Sequence, residues 1–285
     1  RQWQAGGRMV ATPFGRVFVR SSPHLGDSPT IVLLHGFPSS SYDYREVTER
    51  LVDRAWITLD FLGFGLSDKP RPHRYSLFEQ ADIVQFVLMQ AGVRQVALIA
   101  HDMGTSVATE LLARDIAGVL PFDLQRAVLS NGSVIIERAS LRLSQKVLRG
   151  PLGPLAARLI TERGFVRGFA ELFSVATPLT AQEAQDQWAL LARCGGDRIL
   201  HLLCAYLNER VTFAPRWHGA VRDWRKPLSF LWATADPVAT INVLAGLRQL
   251  RPGAEVIELP GVGHYPQIEV PGGFTAAALR LLDSE

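Results

Sequence analysis

Residues 96–106 read VALIAHDMGTS, from Val96 to Ser106. The first five are apolar and start β-branched, as a buried parallel strand requires. The run stops at His101-Asp102-Met103-Gly104, and apolar residues resume at helical spacing with Val107, Leu111 and Leu112. A polar residue between a strand and a helix, flanked by the small residues Ala100 and Gly104, has the pattern of a nucleophile elbow. The small residues let strand and helix backbones approach while one side chain is displayed at the turn. The usual motif, G-x-S-x-G, places serine at the centre; here the central residue is Asp102.

That exchange redirects the chemistry. A carboxylate is a weak nucleophile toward acyl carbon and is expelled again from a tetrahedral adduct. Toward an sp3 carbon it displaces a leaving group in line and leaves an alkyl ester on the enzyme. Water must then attack the ester carbonyl, so a base and an oxyanion hole are still required. The elbow therefore predicts hydrolysis of an activated sp3 C–O or C–halogen bond. The bland alternative is an ordinary Asp capping the following helix.

The chain has 285 residues, 47% hydrophobic and 20% charged, which suits one large α/β domain or a domain with an insertion. A net charge of +3 with no basic run gives no argument for a nucleic-acid partner. The two cysteines, Cys194 and Cys204, form no disulfide or CxxC pattern and read as buried free thiols in a reducing compartment. No apolar run is long enough to span a bilayer and no signal-like stretch opens the chain, so a cytoplasmic location without a membrane span is expected. No metal and no cofactor is expected.

Residues 8–12 and 15–20 predict an antiparallel pair, and 30–34 a buried strand ending in His35-Gly36-Phe37-Pro38. A helix over 39–51, a strand over 56–60, a Gly-rich loop over 61–70 and an amphipathic helix over 77–92 follow. After the elbow comes a strand at 127–130. From about residue 133 to 225 the pattern is helical. Strand and helix alternate again at 227–233, 241–250, 255–259 and 274–282. The expected architecture is an α/β fold: a mostly parallel, doubly wound sheet flanked by helices, with core at 1–132 and 226–285 and an inserted helical cap at 133–225.

The base and its partner belong at strand ends beyond the elbow, in the order nucleophile, acid, histidine. His264 follows the last apolar strand, and Asp236 follows the strand before it, both at C-terminal ends where open α/β sheets place their sites. Asn131, after the sixth strand, is an amide and cannot stabilise an imidazolium as a carboxylate does, which favours Asp236. The backbone N–H groups of Phe37 and Met103 are the expected oxyanion donors; Pro38 has none.

HGFPSSSYDY, LDFLGFGLSDKPRP, AHDMGT and GHYPQIEVP together resemble the epoxide hydrolases of the α/β-hydrolase fold. HRYSLFEQADIV and LSNGS are similar to the branch that contains the mesoderm-specific transcript protein. The resemblance covers the core almost end to end and is weaker through the cap. It implies Asp102 as nucleophile, His264 as base and Asp236 as the acid that orients it.

The leaving group separates the substrate classes that use such a triad. A departing alkoxide needs a proton, which cap tyrosines supply in epoxide hydrolases. A halide needs N–H donors, often a Trp after the nucleophile. Met103 and Phe37 stand where such donors are common. The cap holds one tyrosine, Tyr206, the expected acid, although epoxide hydrolases commonly show two; Tyr265, beside His264, is the other candidate. His35, Trp188, His201, Trp217 and Tyr265 are expected to line the substrate pocket. The expectation is an epoxide hydrolase that converts a small hydrophobic oxirane to a vicinal diol. A haloalkane or haloacid dehalogenase is the alternative, and a non-catalytic binding protein on the same fold is a third. Oligomeric state is not readable.

Overall fold

Strands and helices alternate along the chain, and the short apolar runs assemble into one eight-stranded sheet. The computed structural model describes residues 2–23, 25 and 29–284. The strands are β1 (Arg8–Thr12), β2 (Gly15–Ser21), β3 (Thr30–Leu34), β4 (Trp56–Leu59), β5 (Gln95–His101), β6 (Asp123–Ser130), β7 (Leu228–Ala233) and β8 (Val256–Leu259). Their order across the sheet is β1-β2-β4-β3-β5-β6-β7-β8. The β1–β2 and β2–β4 pairs are antiparallel and the others parallel.

β3 is buried at every position, because helices cover both faces of a parallel sheet. Ile31 and Leu33 pack on one face with Ala97, Ile99 and Phe274. Val32 and Leu34 pack on the other with Val84, Leu98 and Val107. The alternation splits consecutive residues between two cores, so a one-residue slip would expose neither face but would exchange the partners of every side chain.

Between β6 and β7 the described chain is helical, from Ile136 through Asp223. The strand expected at 127–130 begins earlier, at Asp123, and the final helix begins at Pro271, since proline is well placed in a first turn. The helix expected over 39–51 is a 3-10 turn, Ser41–Tyr44, followed by the short helix Arg45–Arg50. Ser40 caps that turn, while the backbone N–H and the hydroxyl of Ser41 both donate to Asp60 Oδ1. Among the described residues, no helix is long and apolar enough to cross a membrane. Cys204 is buried as expected, but Cys194 is exposed; both are free. Cys194 lies in a left-handed turn that holds it outward.

Candidate active site

β5 enters the helix Met103–Ile116 through Asp102, whose φ of 44° and ψ of −109° are unusual for a residue with a Cβ. The conformation is held from several sides. The Asp102 N–H donates to Ser130 O at 3.2 Å, and Asp102 O accepts from Thr105 N at 3.1 Å and Thr105 Oγ1 at 2.6 Å. Gly104 is required by close approach: a Cβ there would lie 2.5 Å from Leu34 O and 2.7 Å from His35 O. Asp102 stands at the N-cap position, yet its side chain makes no capping hydrogen bond. Asp102 Oδ2 instead accepts the Phe37 N–H at 2.9 Å, from the loop after β3. The carboxylate thus turns away from its own helix, which removes the capping explanation of the elbow aspartate.

The loop after β8 brings in His264. Its N–H donates to Leu172 O at 2.8 Å, and its carbonyl accepts from His101 Nε2 at 2.7 Å. The Nδ1 side faces Asp236 Oδ2 at 2.7 Å, which leaves Nε2 as the outward nitrogen. Asp236 follows β7, and its Oδ1 accepts from Val238 N at 2.7 Å and Ala239 N at 3.0 Å. Asn131 Nδ2 donates to Asp236 Oδ2 at 2.8 Å and to Ala233 O at 3.0 Å, while its Oδ1 accepts from Ala233 N at 2.9 Å. The amide at this strand end therefore clamps the acid of the next strand.

Burial would make both groups neutral, and their mutual contact opposes it. Desolvation pushes the His264 pKa down, but the charge and hydrogen bond of Asp236 more than offset this and hold it at about 8. For Asp236, desolvation acts upward, and His264, Val238 and Asn131 together pull the carboxyl below its usual range. The pair is therefore ionic when His264 carries its second proton.

Tyr206 and Arg210 lie one turn apart on the helix Tyr206–Thr212, so they share a face. Arg210 is fully buried. Its Nη2 donates to Asp102 O at 2.9 Å and its Nε to Ser106 Oγ at 2.7 Å, which docks the helical region onto the start of the elbow helix. Nη2 also stands 3.8 Å from Asp102 Oδ1. The guanidinium lies over the Tyr206 ring, 4.6 Å from its centroid. Tyr206 Oη is buried and has no hydrogen-bond partner, and neither has Arg210 Nη1. Burial, reinforced by the nearby Asp102 charge, holds the Tyr206 phenol far above its ordinary pKa.

A cavity of about 520 Å³ reaches the site at Phe37 and His264; Asp102, Met103 and Tyr206 lie behind its wall. Phe37, Pro38 and His264 form its core side, and Leu148, Ile160, Phe165, Phe169 and Leu172 are among the helical residues around it. The chemistry-bearing residues expected from the sequence thus gather at the C-terminal edge of the sheet: Asp102 after β5, Phe37 after β3, Asp236 after β7 and His264 after β8. Met103, buried, is the first residue of the elbow helix.

The expected pocket set needs correction. Trp217 is core: its Nε1 donates to Glu110 Oε2 at 3.1 Å and its ring packs on Phe78 and Phe213. Trp188 sits behind the cavity wall, against Phe165. His201 is partly buried beside Gly153, off the cavity wall. His35 lies beneath the elbow, with Nε2 accepting the Phe61 N–H at 3.0 Å and Nδ1 2.8 Å from Gly36 O. Desolvation drives its pKa to about 3, so it is a neutral structural residue. Tyr265 is buried behind Phe37, its hydroxyl 3.3 Å from Phe37 O, and it is not on the cavity wall. Arg210 was missed, and its only sequence signal is the four-residue spacing from Tyr206.

The sequence profile of the alpha/beta hydrolase fold matches residues 29–271. A Mycobacterium tuberculosis protein named as a hydrolase, LipZ, is 64% identical over 282 residues, covering 99% of this chain and 97% of its own. The mouse mesoderm-specific transcript protein is 38% identical, covering 99% of this chain and 87% of its own. Haloalkane dehalogenase 2 of Mycobacterium bovis is 32% identical over 90% of this chain and 88% of its own. Among solved structures, a loop variant of the haloalkane dehalogenase DbeA from Bradyrhizobium elkanii superposes with a TM-score of 0.78 at 21% identity, covering 97% of this chain and 96% of that one. An eight-stranded sheet with an elbow after β5, together with matches that run the length of the chain, places this protein in the α/β-hydrolase fold family.

Proposed function

We propose that the chain is a cofactor-independent hydrolase that opens an apolar epoxide through an alkyl ester on Asp102. The observation that carries this reading is the buried Tyr206 hydroxyl, unpartnered and on the face that meets Asp102. A buried hydroxyl without a partner costs stability, and a substrate oxygen is the partner that gives it a use.

One Asp102 oxygen attacks a ring carbon, the C–O bond breaks, and the ring oxygen takes the Tyr206 proton. The Arg210 guanidinium over the ring stabilises the phenolate so formed. His264 Nε2 then removes a proton from water, and the hydroxide adds to the ester carbonyl. The Phe37 and Met103 N–H groups receive the oxyanion. The Phe37 amide already binds a carboxylate oxygen at rest, so it needs no reorganisation. As the adduct collapses, the alcohol leaves with the proton from His264, and Asp102, released as the acid, returns its proton to the Tyr206 phenolate. Of the water's two hydrogens, one ends on each product hydroxyl, the first by way of Tyr206. Asp236 holds His264 in the required tautomer and stabilises its cation.

A halide-releasing reading is supported by the 32% identity to haloalkane dehalogenase 2. Three buried indoles are committed elsewhere, Trp217 to Glu110, Trp224 to Asp115 and Trp232 to Ala239 O, while Trp3, whose Nε1 has no partner, packs against Tyr42, and neither residue is on the cavity wall. Incubation with styrene oxide and, separately, 1-bromobutane decides between them. Diol from the oxirane without bromide from the alkyl halide is expected; bromide release alone would replace this reading with the dehalogenase one.

A further inference from the structure

Three helices between β6 and β7, Leu143–Leu148, Gly153–Arg158 and Glu162–Ala170, carry features that the reaction does not use. Leu143, Leu152, Leu155 and Leu159 are 77%, 65%, 56% and 70% exposed, and Val147 joins them at 36%. Single exposed leucines are ordinary, but such a cluster within two short, packed helices is not. Leu143 and Leu159 also stand on the wall of the cavity that reaches His264, so the apolar face borders the cavity.

The same stretch concentrates charge. Residues 142–167 hold Arg142, Lys146, Arg149, Arg158, Arg163 and Arg167 against one acid, Glu162, a net of +5 in a chain of net +3, so the other residues total −2. Arg142 pairs with Glu171, and among the described residues no ion pair engages the other five bases. The bases are spaced along helices, so they form no run in the sequence.

We propose that this face is a docking surface for an anionic lipid bilayer. The leucines insert at the acyl boundary while the Arg and Lys side chains reach the headgroups, the arrangement of an interfacial amphipathic surface. An apolar molecule dissolved in the bilayer then enters the cavity between Leu143 and Leu159 without crossing bulk water. The clustered positive charge selects this occupant over an uncharged lipid surface, and it opposes pairing of the same face with a second copy of the chain. The surface stands independently of the reaction assigned to Asp102.

The test is co-sedimentation of the full chain with vesicles of phosphatidylcholine containing phosphatidylglycerol, against vesicles of phosphatidylcholine alone. Each lysine or arginine near an anionic surface contributes about 1 kcal/mol, so Lys146→Glu/Arg158→Glu/Arg163→Glu is expected to weaken partitioning by at least about 100-fold. Leu152→Ser/Leu155→Ser is expected to weaken it while keeping its salt dependence. Both variants avoid the cavity wall and are expected to melt cooperatively near the parent temperature. Absence of binding by the parent chain overturns the proposal, as does binding retained by both folded variants. A parent dimer in sedimentation velocity, dissociated by the leucine variant with no vesicle binding, overturns it in favour of a self-interface.

Discussion

Replacing Tyr206 with Phe should make the protein more stable and less active. The hydroxyl is buried and has no partner, whereas the ring packs 5.7 Å from Phe37 and beneath Arg210 at 4.6 Å. Phenylalanine keeps the ring contacts and removes the unsatisfied oxygen. An unpaired buried polar group costs about 1–3 kcal/mol, and the small void left by the oxygen returns part of that gain. A net stabilisation of about 1 kcal/mol corresponds to a midpoint rise of roughly 2–4 °C for a chain of this size class. Loss of a positioned general acid lowers the rate by about 10²–10⁴, and the fall should appear in ester formation, not in hydrolysis of the ester. Two measurements suffice: a thermal melt, and single-turnover ester formation followed by intact mass with styrene oxide. Because burial and the Asp102 charge keep the phenol protonated, the parent's ester formation should not titrate through Tyr206 at alkaline pH. A variant with unchanged ester formation would refute the donor role. A lowered melting temperature would show that the hydroxyl has a partner after all.

Five other expectations follow from the same geometry. Asp236→Asn should lower the ester-hydrolysis rate by about 10³–10⁴, by analogy with loss of a triad carboxylate, and leave ester formation intact, so the ester should accumulate in quenched samples. Water attack needs neutral His264, so ester hydrolysis in stopped-flow should rise with pH and level off above about 8. Stability should move oppositely: the His264 pKa is raised from 6.5 to about 8, so its contribution is full below 6.5 and is lost as pH rises through 8; thermal melts across that range check the sign. Gly104→Ala places a Cβ against two backbone carbonyls that cannot rotate aside, and overpacking of this kind costs about 1–3 kcal/mol or more, readable by denaturant titration. Arg210→Met removes two hydrogen bonds and one unsatisfied N–H together; stability should change by less than about 2 kcal/mol, while ester formation slows because the Tyr206 phenolate loses its cation.

The elbow was legible because two periodicities meet there: a strand run ends at Ala100, helical spacing starts at Val107, and small residues bracket Asp102. Asp236 and His264 were legible for a related reason, since parallel strands put loop residues at one edge of the sheet. The helical region between β6 and β7 resisted such reading. Which face of a helix meets the cavity depends on how helices cross, and that is not encoded in local spacing. Trp217 illustrates this, because its indole answers Glu110 in the elbow helix, 107 positions earlier. Arg210 was illegible for the same reason: a charged residue in a helix reads as solvent-facing until its partners, Asp102 O and Ser106, are known. The concentration of bases in residues 142–167 was hidden by helical spacing and by a total charge of only +3.

The central claim is that Asp102 becomes an alkyl ester, and the most direct test is to remove the base and look for it. His264→Gln, incubated with styrene oxide and measured by intact mass and peptide mapping, should gain one substrate mass on the peptide containing Asp102. The gain should vanish when Asp102→Asn is added. An unmodified chain after prolonged incubation with a panel of oxiranes, or an adduct carried by a different residue, would contradict the account.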